Sequence, residues 1–102
     1  MYGVIRRWEG IDTSRIDEVA RAIQDEFVPM IRGLDGYHGY WVVQSDSVVV
    51  TFGLYESRED AERTTQMAKD FLRDHDMDDA MPNPPQVTAG EVRVAGPVHA
   101  LA

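Results

Sequence analysis

The chain has 102 residues, 43% of them hydrophobic and 27% charged, and a formal net charge of −8 at pH 7. A chain this long buries one real core and has no room for a second lobe, so residues 1–102 are read as a single domain. The acidic balance and scattered basic residues exclude the basic stripe nucleic acid requires, and the lack of cysteine excludes disulfides and thiolate chemistry. No apolar run approaches the length of a membrane span, so a cytoplasmic protein with no membrane partner is expected.

Residues 2–8 alternate as a strand does, with Tyr2, Val4, Arg6 and Trp8 sharing one face. Residues 14–34 then carry Ile16, Val19, Ala20, Ile23, Phe27, Met30, Ile31 and Leu34 at helical spacing. Asp12, Thr13 and Ser14 offer N-cap oxygens, and Ser14 with Asp17 approximates a capping box. Pro29 removes one helical donor and crowds the carbonyl of Asp25, which predicts a kink or a fresh turn there.

Residues 36–44 alternate again, with Tyr37, Gly39, Trp41 and Val43 set against His38, Tyr40, Val42 and Gln44. In residues 47–55, Val48, Val50, Phe52 and Leu54 oppose Val49, Thr51, Gly53 and Tyr55. A second helix, residues 57–75, opens on Ser57 and Asp60, another near capping box. Its small residues Ala61, Thr64, Thr65 and Ala68 either pack closely on the sheet, the commoner use, or roof a cavity.

The acidic and proline-rich stretch that follows reads as a loop. Asp74, Asp76 and Asp78 have the spacing of a calcium loop, but Asp79 stands where its glycine belongs and Pro85 where its glutamate does. A last strand is predicted over residues 87–95.

The order βαββαβ predicts an α+β, ferredoxin-like fold: an antiparallel four-stranded sheet with two helices on one face. Both faces of the second and third strands are apolar, whereas a sheet with one wet face alternates apolar and polar residues. Two helices cover only one face, and a second copy of the chain is the economical cover for the other, a homodimer joined through its sheets. Val98 and Leu101, in the tail of residues 97–102, are expected to lie along that partner.

Two segments carry a family resemblance. Gly36-Tyr37-His38-Gly39-Tyr40-Trp41 is one, and Leu54-Tyr55-Glu56-Ser57-Arg58-Glu59-Asp60-Ala61 is the other. They make the chain resemble the antibiotic biosynthesis monooxygenase-like proteins of the dimeric α+β barrel superfamily. That family includes cofactor-free oxygenases of aromatic polyketides, quinol oxygenases and haem-degrading enzymes. The resemblance implies a homodimer with a pocket between sheet and helices, and a cofactor-independent monooxygenase acting on a small aromatic or polyketide-like compound. The alternative is a non-catalytic dimeric module that binds a small molecule. Members often place an Asn on a strand facing the pocket and a His early in the second helix. Here the one Asn is Asn83 in the proline loop, and Thr64 and Thr65 occupy the early helix.

Oxygenation without a cofactor needs an apolar slot, a proton acceptor, and a positive or hydrogen-bonding group near the developing oxyanion. Arg6 is the catalytic candidate on that account, with Trp8, Tyr37 and Trp41 as stacking surfaces for an aromatic substrate; the resemblance adds Tyr55, which stands where relatives often carry an aromatic before the second helix. The bland reading makes Arg6 half of an ion pair and the tryptophans core. His75 closes the apolar stripe of the second helix, where it serves as base or metal ligand, or simply favours the helix dipole. His38 and His99 lie far from it, without ligand spacing, and no metal site is expected.

Overall fold

The computed structural model describes residues 1–96, so the tail expected along a partner lies outside the described residues. Strand β1 (Tyr2–Trp8) leads through a 3-10 turn (Thr13–Arg15) into helix α1 (Ile16–Ala22). A π-helical segment (Ile23–Phe27) continues the same rod into α2 (Val28–Arg32). Strands β2 (Tyr37–Ser45) and β3 (Val48–Tyr55) form a hairpin, followed by α3 (Arg58–Asp74) and β4 (Gln86–Glu91). The sheet order is β2-β3-β1-β4, every neighbour antiparallel. This is the expected ferredoxin-like α+β architecture.

The helix starts follow side-chain chemistry. Asp12, rather than Ser14, caps the first rod: its carboxylate accepts from the Ser14 amide at 3.0 Å and the Ser14 hydroxyl at 2.6 Å. Those bonds hold the Asp12 carboxyl below its ordinary pKa. Ser57 caps α3, accepting from the Asp60 amide at 3.2 Å and donating to its carboxylate at 2.9 Å. At Pro29 the rod neither ends nor breaks. The wider π turn lies just before α2, which then starts with the proline in its first turn, where no amide hydrogen is required.

Two strand readings need correction. Tyr37 and Trp41 do not share a face. A register shift between Tyr37 and Gly39 turns Tyr37 under the helices, against the core, while Trp41 keeps the opposite face. A bulge adds one residue to the count, and with a period of two that reverses every side chain beyond it. The last strand also ends early, at Glu91. That residue pairs with Tyr2, the first residue of β1, so residues 93–95 have no neighbour left to bond.

The core lies between helices and sheet. Val19, Ile23, Phe27 and Ile31 from the first rod meet Trp8, Val49 and Phe71, with Met77, Ala80 and Met81 closing one end. Phe27 touches Tyr40 and Phe71, ring centroids 5.5 and 5.2 Å apart. The other sheet face has no cover among the described residues: Ile5 is 39% exposed, Trp41 43% and Val43 61%.

Candidate functional site

On the helix-facing side of the sheet, register places Arg6 of β1 directly beside Thr51 of β3, with Val42 of β2 beyond it. One layer along, Val4, Gly53 and Tyr40 line up, and one further, Tyr2, Tyr55 and Tyr37. Alternation and strand register together gather a cation and several hydroxyl groups in the interior.

Arg6 is 3% exposed, and among the described residues it forms no salt bridge. Its guanidinium donates to the hydroxyl of Thr65 on α3, which in turn donates to the Ala61 carbonyl at 2.9 Å. A guanidinium keeps its proton in proteins, so this is a buried, uncompensated positive charge, an arrangement that costs several kcal/mol unless hydrogen bonds or a ligand offset it.

Two buried hydroxyls on the same face, Thr51 Oγ1 and Tyr55 Oη, have no hydrogen-bond partner among the described residues. Thr51 neighbours Tyr40, and Thr64 neighbours Tyr55. The Thr64 hydroxyl donates to the Ala61 carbonyl at 2.9 Å. Burial pushes the phenols of Tyr40 and Tyr55 above the ordinary tyrosine pKa, and Arg6 and the neighbouring threonine hydroxyls draw them only part of the way back. At neutral pH both are donors, not bases. Tyr55 owes its position to Gly53, since a Cβ there would lie 2.5 Å from the Tyr55 hydroxyl and 2.7 Å from its ring.

Next to this polar set is a narrow cavity of about 20 Å³. Thr51, Trp8, Phe27, Tyr40, Val49 and Phe71 are among its lining residues, and its surface is almost wholly apolar. Of the five residues proposed from sequence, Trp8 lines this cavity. Arg6 is not among the lining residues but is the register partner of Thr51 on β1. Tyr55 and Tyr37 lie in a layer further along the sheet, and Trp41 is on the far face, packed on Phe52 with centroids 5.5 Å apart. Sequence reading passed over Thr51, Tyr40 and Thr65 as site residues. Their signal was present in the strand alternation and the helical stripe, but only the β1–β3 register and the reach of Arg6 join them.

The other candidates are structural. His75 is the C-cap residue of α3, its Nδ1 3.0 Å from the Phe71 carbonyl and its Nε2 3.2 Å from Glu26. Asn83 donates to the Glu9 carbonyl at 3.0 Å and ties the proline loop to the end of β1. Among the described residues, no group of three His, Asp or Glu side chains could hold a metal, and no helix is long and apolar enough to cross a membrane.

Solved structures share this geometry of sheet and helices. A monooxygenase of Streptomyces coelicolor, solved with the ligand nanaomycin D, matches 95% of this chain and 91% of its own, with TM-score 0.74 and 13% identity. The chain has the fold of the antibiotic biosynthesis monooxygenases. SnoaB, a cofactor-independent oxygenase from Streptomyces nogalater, matches 95% of this chain and 97% of its own (TM-score 0.63, 13% identity). A candidate antibiotic biosynthesis monooxygenase from Nitrosomonas europaea matches 92% and 100% (TM-score 0.69, 20% identity). At such identities the likeness is one of fold. No protein-family model and no curated protein matches the chain.

Proposed function

We propose that the protein is a cofactor-independent monooxygenase acting on a small aromatic or polyketide-like compound, working as a homodimer joined through the uncovered sheet faces. The observation that carries this reading is the buried charge of Arg6, without a carboxylate partner and set on the same face as the unpartnered hydroxyls of Thr51 and Tyr55. Such a set is prearranged for an oxyanion, and in a water-poor interior it stabilises developing negative charge strongly.

The chemistry asks little more of the chain. An enolisable substrate such as an anthrone loses a proton to water, and the positive field of Arg6 favours the resulting anion. The electron-rich anion reduces dioxygen. One oxygen atom becomes the new carbonyl of the quinone, and the other leaves as water with the two hydrogens of the methylene carbon. Tyr55, kept protonated by burial, donates a hydrogen bond to the anionic oxygen. Ile16, Ala20, Ile23 and Val42, along the open groove between the first helical rod and strand β2, supply the apolar wall. The test is oxygen consumption with a panel of anthrones and quinols, without added flavin or metal. Turnover supports the reading, and no consumption across the panel rejects it.

A second reading, a dimeric module that binds a small molecule without transforming it, is favoured by the size of the cavity. Apolar cavities that take benzene measure about 150 Å³, against about 20 Å³ here. A planar ligand is therefore excluded from the cavity and must lie in the open groove beside the first helical rod. Saturable binding of an anthraquinone, followed by tryptophan fluorescence, in a protein that consumes no oxygen would select this reading.

A further inference from the structure

We propose that the cavity of about 20 Å³ is a binding site for dioxygen; this rests on the oxygenase reading and names where its second substrate waits. The volume is above the roughly 10–15 Å³ that one water needs, but a buried water also needs two to four polar partners. The almost wholly apolar wall offers the hydroxyl of Thr51 as an unpartnered polar atom. Water there would give up most of its hydrogen bonds, and cavities of this character stay dry and take apolar gases. An organic ring does not fit, whereas a diatomic does.

Position supports the assignment. Ile16, Ala20, Ile23, Tyr40 and Val42 line both this cavity and an open groove of about 270 Å³ that runs between the first helical rod and the edge strand β2. Gas reaching the groove from solvent is thus one side chain from the cavity, and an aromatic compound in the groove would lie against the same residues. Thr51 lines the cavity on the sheet side and Arg6 is its register partner on β1, so the negative charge that dioxygen acquires on reduction develops near a fixed cation. A dry site beside the groove keeps dioxygen close to the substrate anion.

The experiment combines xenon pressurisation of crystals with oxygen-dependent kinetics. Val49→Ile fills the cavity from the sheet and Ala68→Val from helix α3, so a folding failure in one leaves the other. Xenon should occupy the cavity in the wild-type protein and be lost in either variant. With anthrone as the organic substrate, the KM for oxygen should rise several-fold in both variants while the KM for anthrone stays put. Absence of xenon from the wild-type cavity overturns the site. Xenon in place with a KM for oxygen that filling leaves unmoved marks a packing void and overturns it too, while the oxygenase reading survives. No oxygen uptake by the wild type is a different failure: it rejects the oxygenase reading, and the assignment of dioxygen goes with it.

Discussion

The two faces of the one sheet distribute polarity in opposite ways to their exposure. Beneath the helices, where a dry interior calls for apolar side chains, lie the Arg6 cation and the hydroxyls of Thr51, Tyr40 and Tyr55. On the far face, without cover among the described residues, stand Ile5, Trp41, Val43 and Phe52. Soluble sheets ordinarily do the reverse. Both departures have one logic. Under the proposed function each face awaits a partner, the inner one an anionic group to meet its charge and the outer one a second copy's apolar surface to exclude water.

The outer face offers the largest effect. Val43→Glu places a carboxylate on each side of the proposed two-fold contact, and an uncompensated buried charge costs about 3–5 kcal/mol. The variant should be monomeric by light scattering at micromolar concentration where the wild type is dimeric. A monomeric wild type, or a variant that stays dimeric, removes the outer half of the comparison.

The inner face answers to Arg6. Arg6→Ala should cut anthrone oxidation by about 10²-fold or more, as for a lost oxyanion donor, with the dimer intact. Arg6→Met fills the same space without charge and should leave stability unchanged or raise it by about 1–4 kcal/mol, as when buried ions are replaced by apolar groups. A marked loss of stability to urea in the methionine variant would instead make Arg6 a structural element.

Gly53→Ala tests how the polar layer is built. The new methyl group meets the Tyr55 ring and hydroxyl, and overpacking of this kind costs about 1–3 kcal/mol, measurable as a lower urea midpoint. The smallest change is Tyr55→Phe, which removes an unsatisfied hydroxyl and should shift neutral-pH stability by no more than about 1 kcal/mol.

Its effect on alkaline unfolding is more telling. Burial raises the Tyr40 and Tyr55 pKa values, so the unfolded chain loses those protons first, near the ordinary value of about 10. Stability is then complete below that pH and declines as pH climbs through the raised folded values. Tyr55→Phe should make the decline shallower. An unchanged alkaline limb in thermal melts would show that Tyr55 is not the buried group that titrates.

How much of this was legible beforehand depended on the range of the interaction. The period-two alternation of β1 put Arg6 with Trp8, and that of β3 put Thr51 with Tyr55, because alternation is a local property of extended backbone; that these two faces are one was decided by the pairing of the strands. The same rule misplaced Tyr37 relative to Trp41, since a bulge appears only when strands pair. Small residues on the second helix left close packing and a cavity as alternatives. The folded chain has both: Ala61 and Thr64 are buried, and Ala68 lines the narrow cavity.

By itself the sequence determined the element order, the capped start of α3, the apolar stripes and hence the ferredoxin-like sheet with two helices on one face. Backbone sterics and side-chain periodicity act within a few residues of one another, so these features need no knowledge of the rest of the chain. Only tertiary structure decided that Pro29 follows a π turn, that Arg6 reaches Thr65 rather than an acid, and that the space left beside Thr51 holds about 20 Å³. Those outcomes turn on residues up to 59 positions apart, and on how well side chains from different elements fill a shared volume.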